Sequence, residues 1–341
     1  MASTIYLGTE EGVVTLSRSN GGWKVANQGV KEWSVQEVAA DPTTPGRVLA
    51  ATRGDGVWVS SDKGETWKKP SYGRRGPGKT RCITLDPRDP RRLFVGGEPI
   101  DIWISDDGGA HWDRFDSIQQ LPFLESIDYP VPTVEPHVRD IALDPQDSDT
   151  IYAALQVGGM LKSTDGGKSW AHIENELDCD VHTIVVDADH TNVVLIATGG
   201  HDSRSGKVKG RALYRSGDGG QTWTPVGMQF SQEYSVPLVP SPRNPHLLYS
   251  GLSHGTPGNW RRATGAEAIL VRSANGGKEW EEVDAGPEVR HDFPKAIALD
   301  PEDENILYVG VRNGILVSTD SGKTWQKQAL EVPPINDMKC V

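Results

Sequence analysis

Little in this chain of 341 residues suits a membrane, a disulfide scaffold or a polyanion. Its three cysteines, Cys82, Cys179 and Cys340, are odd in number and scattered. That pattern excludes a disulfide framework and suits a reducing compartment. No apolar run is long enough to cross a bilayer, and the first residues carry no secretory pattern, so cytoplasmic residence is expected. Positive charge is in deficit: 35 Lys and Arg against 47 Asp and Glu leave a net charge of −12, which disfavours nucleic acid or an anionic membrane as partner. There is no Pro/Ser linker, charge block or low-complexity tract at which to divide the chain, although its length alone would suggest two domains. No Gly-x-Ser-x-Gly elbow is present. The Gly-rich stretch Gly251 to Gly258 neither follows a strand nor opens a helix, so it is not a phosphate loop.

What the chain does have is repetition. Six copies of Ser-x-Asp-x-Gly-x-Thr-Trp, or a close variant, occur at Ser60 to Trp67, Ser105 to Trp112, Ser163 to Trp170, Ser216 to Trp223, Ser273 to Trp280 and Ser318 to Trp325. A worn seventh, one residue short, runs from Ser17 to Trp23. Asp followed two residues later by Gly is turn chemistry: the carboxylate accepts backbone N–H groups and Gly takes the positive-φ position. The Trp that follows is a large apolar plug at the start of the next strand. The acidic residues of these boxes are therefore structural. A period of tens of residues means an array or a propeller.

Upstream of each box lies a short apolar strand ending in Asp-Pro or its equivalent, as in Val138 to Pro145 and Pro294 to Pro301. Proline cannot donate to a sheet ladder, so it marks where that strand stops. A gap, a second strand, a turn and a third strand follow, giving four antiparallel strands per unit. Units begin near Ser34, Lys79, His137, Val181, Ser235 and Pro294. The remainder is split between residues 3–31, which lack a leading strand, and 335–341, which look like the missing one. The expectation is an all-β fold: a single seven-bladed β-propeller domain over 1–341, its first blade closed by the C-terminal strand so that no sheet edge is left exposed.

These boxes and strands resemble the BNR/Asp-box repeat superfamily, which includes sialidases, tandem-propeller xyloglucan-type glucanases, sortilin-type receptors and photosystem II assembly factors. The resemblance runs through nearly the whole chain and implies the propeller; function resides in a site grafted onto such a fold. The Phe/Tyr-Arg-Ile-Pro motif and six blades of sialidases are absent. The tandem glucanases place catalytic aspartates between two propellers, and this chain accounts for one. The photosystem factors are single propellers of similar length but are exported, and no targeting segment is seen here. No catalytic residue is carried over from any of them.

In a propeller the box turns and the Asp-Pro turns share one face. The long insertions of this chain all fall on the other: Phe115 to Pro136 between blades, and His201 to Gly210 and Ser253 to Ala268 between second and third strands. Loops elaborated on one rim of a rigid ring are the usual place for function. Aligning the leading strands puts Asn336, Gln36, Arg81, Arg139, His182, Val236 and Lys295 around the channel near that rim. The next position gives Asp337, Glu37, Cys82, Asp140, Thr183, Pro237 and Ala296. Arg53 and Arg312 join from short loops on the same face. In an acidic protein this concentration of cations stands out, and Arg offers a planar fork for carboxylate, phosphate or sulfate. The competing structural reading pairs the cations with Glu37, Asp140 and Asp337 as a network closing the ring.

Five of the nine histidines, His137, His182, His201, His254 and His291, map to the same face. An imidazole there could act as acid or base, and three could hold a divalent metal such as zinc. The first functional expectation is a hydrolase or lyase acting on a small anionic or carbohydrate-like ligand. Arg53, Arg81, Arg139, Lys295, Arg312, His201, His254 and Trp260 would bind the ligand. His137, His182 or His291 would act as acid, base or metal ligand, oriented by Asp140, Asp292 or Glu37. The second is a non-catalytic binding module or assembly factor that docks a protein partner through loops 117–136 and 253–268, with Trp260-Arg261-Arg262 as an exposed tip.

Overall fold

In a computed structural model, described here for residues 2–19, 21–71, 76–127, 129–131 and 133–341, the chain forms seven antiparallel sheets arranged as blades. The inner strands are Ile335–Cys340, Val35–Ala40, Thr80–Leu85, Val138–Leu143, Val181–Val186, Tyr234–Pro240 and Ile297–Leu299 for blades 1 to 7. Each packs against the inner strand of the next blade, and the seventh against the first, so the ring is closed. Closure follows the expected route. The C-terminal strand pairs antiparallel with Thr4–Thr9, Ile5 opposite Cys340 and Gly8 opposite Asp337. Among the described residues blade 2 has the shortest outer edge: Lys68 alone bridges to Val59, exchanging hydrogen bonds of 2.8 and 2.9 Å.

The second strands explain the packing. Val48–Thr52, Leu93–Gly97, Ile151–Leu155, Val194–Thr198 and Leu307–Val311 are buried at every position, because both faces of a blade are covered by neighbours. The middle of these strands and of their counterparts in blades 1 and 6 carries Tyr6, Leu49, Phe94, Tyr152, Leu195, Tyr249 or Tyr308, each buried. These side chains fill apolar clusters that lie in the seams between blades. The boxes behave as turn devices. Asp62 Oδ1 accepts the Thr66 N–H at 2.9 Å, its Oδ2 accepts the Thr66 hydroxyl at 2.6 Å, and Ser60 Oγ accepts the Gly64 N–H at 2.8 Å. The hydrogen bonds from Thr66, its hydroxyl first, and from the Ser60 hydroxyl hold the Asp62 carboxyl down at about 2.

The inserted loops depart from the exposed tips foreseen above. Phe115 to Pro136 contains two short 3-10 turns, Ile118–Gln120 and Pro122–Ser126, and Leu121, Phe123, Leu124 and Ile127 pack back onto the core. Asp128 and Pro132 of this insertion lie outside the described residues. Trp260 is half-buried, 4.5 Å from the Phe293 ring and 5.3 Å from Tyr234, and its indole N–H donates to the His254 carbonyl at 3.2 Å. The aromatic expected to stand free is covered, because the ring gains apolar contact and a hydrogen-bond acceptor by folding down.

Candidate functional site at the channel mouth

A strictly alternating strand would send only every second side chain into the channel. Here two consecutive residues face inward, and the cause is a bulge at one place in the inner strand. Register slips between Val35 and Glu37, Thr80 and Cys82, Val138 and Asp140, Val181 and Thr183, and Ser235 and Leu238. An extra residue in one strand re-aims its side chain. The channel has a volume of about 890 Å³. All seven second-position residues, Gln36, Arg81, Arg139, His182, Val236, Lys295 and Asn336, line it, as do Glu37, Asp140, Thr183, Pro237 and Asp337. Cys82 and Ala296 turn instead into the seams.

The carboxylates of the second ring do not neutralise the cations of the first. Asp337 accepts the Val38 N–H at 2.9 Å, Glu37 the Ile83 N–H at 3.0 Å, and Asp140 the Ile184 N–H at 2.8 Å. Each carboxylate thus bonds the backbone of the following blade. The cation at their level is Lys339, 4.0 Å from Glu37. Burial pushes the Glu37 carboxyl up to about 8, with Lys339 opposing and Asp337 and Asp140 reinforcing. Burial likewise raises Asp140 to about 6, against its two backbone hydrogen bonds. Both groups meet channel water but are ringed by protein on every other side, which weakens their hydration.

The cations above differ in how far they are satisfied. Arg81 is buried and ion-paired with the buried Glu98, its Nε donating at 2.7 Å, while one terminal nitrogen donates to Gln36 Oε1 at 3.1 Å. Burial still pulls Arg81 down to about 10, with Glu98 resisting. Arg53 also reaches Glu98, at 3.5 Å. Arg139 makes no hydrogen bond or ion pair among the described residues. Lys295 donates to Asn336 Oδ1 at 3.4 Å, and burial followed by the charge of Arg139 holds its ammonium below the usual lysine range.

Around these cations sit groups that sequence reasoning missed. His182 Nδ1 donates to the Ser235 carbonyl at 2.6 Å, which leaves Nε2 3.2 Å from the buried Asp180 carboxylate. Burial raises the Asp180 carboxyl, but His182, Arg139 and His201 outweigh it and hold it below its ordinary value. Tyr234 packs edge-on against His182 at 5.1 Å, and Tyr129 against His137 at 5.8 Å. Asp180 and Tyr234 stand two residues before the channel-lining His182 and Val236, the register position that His137 fills before Arg139 in blade 4. Reading that register as well would have found both. Glu98 follows the second strand where Arg53 does in blade 2, which is the corresponding signal for it.

The histidines are not gathered as expected. His137 is buried; Nδ1 donates to the Glu135 carbonyl at 2.9 Å, leaving Nε2 without a partner. Burial, then Arg81 and Arg139, push it down to about 2, so it stays neutral and offers an acceptor rather than a proton. His254 pairs with Glu233 at 3.1 Å on the rim. His291 pairs with Asp292 at 2.8 Å, and Arg312, largely exposed, reaches the same carboxylate at 3.6 Å. His201 opens a one-turn helix, His201–Ser205, whose N–H groups cap onto Asp178. Of the five, only His201 enters a set of metal-ligand spacing among the described residues, with Cys179 and Asp202. Among the described residues no three of the five share a set of metal-ligand spacing, and His254 and His291 sit instead in separate pairs with carboxylates. Glu37 and Asp140 do not orient a histidine either, because they bond backbone N–H groups; Asp180 is the carboxylate beside His182.

No family model matches the chain. The xyloglucanase Xgh74A of Acetivibrio thermocellus is 33% identical over 126 residues, which cover 33% of this chain and 14% of the relative. The photosystem II assembly lipoprotein Ycf48 of a Nostoc species is 27% identical over 190 residues, 55% of this chain and 47% of the relative. The chain is thus similar in sequence to xyloglucanases and to Ycf48. Among solved structures, a GH74 xyloglucanase from Xanthomonas campestris superposes with a TM-score of 0.71 at 19% identity, covering 97% of this chain and 53% of that one. A structure of YCF48 bound to D1 peptide gives a TM-score of 0.58 at 13% identity, covering 93% of both chains. These superpositions establish the seven-bladed fold. The chain spans less than half the length of these curated relatives.

Proposed function

We propose that the protein is a binding module whose channel mouth captures a carboxylate or phosphate group of its ligand. The observation that carries this reading is Arg139, a guanidinium lining the channel whose side chain has no hydrogen bond or ion pair among the described residues, beside a Lys295 whose partner is a neutral amide. A cation left unpaired in a confined, partly desolvated mouth gains strongly from a ligand anion. YCF48 has been solved bound to a peptide, and a peptide carboxylate has the required chemistry. The test is calorimetry with free-acid and amidated forms of a peptide panel, and with citrate and inorganic phosphate. Anionic forms should bind, and Arg139→Ala and Lys295→Ala should each weaken them. Absence of binding by every probe, or indifference to both substitutions, rejects the reading.

A hydrolase remains the second reading, favoured by the raised carboxyls of Glu37 and Asp140. A carboxyl still protonated near neutral pH is what a general acid requires. The sequence relatives named xyloglucanase make a carbohydrate the first substrate class to try. Turnover of a glycoside, ester or lactone that disappears in Glu37→Gln and His182→Ala supports it.

A further inference from the structure

We infer a divalent transition-metal site on the opposite face of the ring, formed by Asp187, His190 and His246 across the seam between blades 5 and 6. One carboxylate oxygen and one ring nitrogen from each histidine lie within 4.8 Å of one another. His246 Nδ1 is 3.2 Å from Asp187 Oδ2, and His190 Nδ1 is 3.8 Å from Asp187 Oδ1. Ligand atoms of a tetrahedral zinc ion, bound at about 2.0–2.1 Å, stand roughly 3.3–3.4 Å apart. The two histidine–carboxylate distances, one to each oxygen of Asp187, lie on either side of that spacing, and the whole set must draw in from within 4.8 Å to close on an ion. Asp189 Oδ2, 3.5 Å from His246 Nε2, stands on the other edge of the same ring.

A comparison between blades supplies an independent reason. Asp41 and Asp86 occupy the corresponding turns of blades 2 and 3, and each is balanced by an arginine six residues on: Arg47 at 2.8 Å and Arg92 at 3.6 Å. In blade 5 the residue six on from Asp187 is Val193. Asp187 is equally buried, with its side chain 3% exposed, and its Oδ1 accepts the Asp189 and His190 N–H groups at 2.9 and 3.0 Å. Its remaining oxygen meets an imidazole where those of Asp41 and Asp86 meet a guanidinium; the same turns of blades 4 and 7, at Asp144 and Asp300, carry Thr150 and Ile306 in the arginine's place. A cation would supply the positive charge that a buried carboxylate calls for, and the two imidazoles beside Asp187 complete the ligand set. Gly276 keeps the approach open, since a Cβ there would come 3.3 Å from His246 Nδ1 and 3.8 Å from Asp187 Oδ2. A hard oxygen-only ion such as Mg²⁺ fits this N₂O set poorly, whereas Zn²⁺ or Co²⁺ fits it well.

The test uses the full chain, freed of any affinity tag and stripped with EDTA, titrated with Zn²⁺ by calorimetry and with Co²⁺ by visible absorption. The expected result is one equivalent bound at this site and a higher Tm with metal than with EDTA. His190→Gln and His246→Gln should each weaken binding more than tenfold, about the loss a disturbed metal shell produces. His201→Gln, in the separate Cys179 cluster, should leave this binding unchanged. Circular dichroism confirms that the variants fold. Absence of stoichiometric Zn²⁺ or Co²⁺ binding overturns the inference. So does binding that survives the His190→Gln/His246→Gln double variant, or that is lost in His201→Gln alone.

Discussion

Asp337 and Val38 are 299 residues apart in sequence, yet the carboxylate of one accepts the backbone N–H of the other at 2.9 Å. The contact joins the C-terminal strand of blade 1 to the inner strand of blade 2. Glu37 with Ile83 and Asp140 with Ile184 repeat it at later seams. Glu37 and Asp140, which sequence reasoning set beside catalytic histidines, are thereby fasteners between blades.

Substituting a fastener should loosen the ring. Asp140→Ala strands the Ile184 N–H inside the seam, and an unsatisfied buried donor costs about 1–3 kcal/mol. The urea midpoint should fall by the corresponding amount with the m value unchanged.

Glu37 gives a pH signature. Its carboxyl is raised in the folded state to about 8, from an ordinary value of 4.5. The folded protein therefore binds this proton more tightly than the unfolded chain does. The stability it contributes is fully present below pH 4.5 and is lost as pH rises through about 8. Glu37→Gln keeps an acceptor for the Ile83 N–H but cannot ionise. The gap between wild type and variant should shift in favour of the variant from pH 4.5 to pH 8, as read by urea unfolding. A constant gap across that range refutes the assignment.

The Arg81–Glu98 pair should be costly to break from one side. Both side chains are buried, at 6% and 2% exposure. Glu98→Ala leaves Arg81 beside Arg53 and Arg139 without its counter-ion, and removing one partner of a buried pair costs about 3–5 kcal/mol. Chemical denaturation measures the loss.

At Gly96 backbone space rather than charge decides. A Cβ there would lie 2.6 Å from both Cys82 Sγ and Val138 Cγ1, at the seam of blades 3 and 4. Gly96→Ala should destabilise by about 1–3 kcal/mol through overpacking, visible as a lower Tm.

Anion capture at the mouth predicts a salt dependence. Arg139→Ala should weaken a carboxylate ligand by about 1.5–3 kcal/mol, the range for a hydrogen bond to a charged group. Raising ionic strength should weaken wild-type binding and affect the variant less, because screening acts on the interaction already removed.

The repeated boxes, the Asp-Pro strand ends and the split first blade were legible in the chain, because each follows from local turn chemistry and strand periodicity. So was the ring of second-position residues: one register, copied seven times, must converge once the array closes. Which cations would be satisfied was not legible. That depends on Glu98 reaching Arg81, on carboxylates bonding the N–H groups of the next blade, and on Tyr129 and Tyr234 folding over the histidines. Those partners come from the end of a neighbouring strand, from other blades and from an inserted loop, where no local pattern fixes distance or direction. Sequence by itself determined a seven-bladed ring with basic residues at one mouth, since short-range backbone preferences repeat with the sequence. The bulge that turns two neighbours inward, and the pairing that leaves Arg139 free, belong to tertiary structure, because only the closed ring sets which buried charges meet.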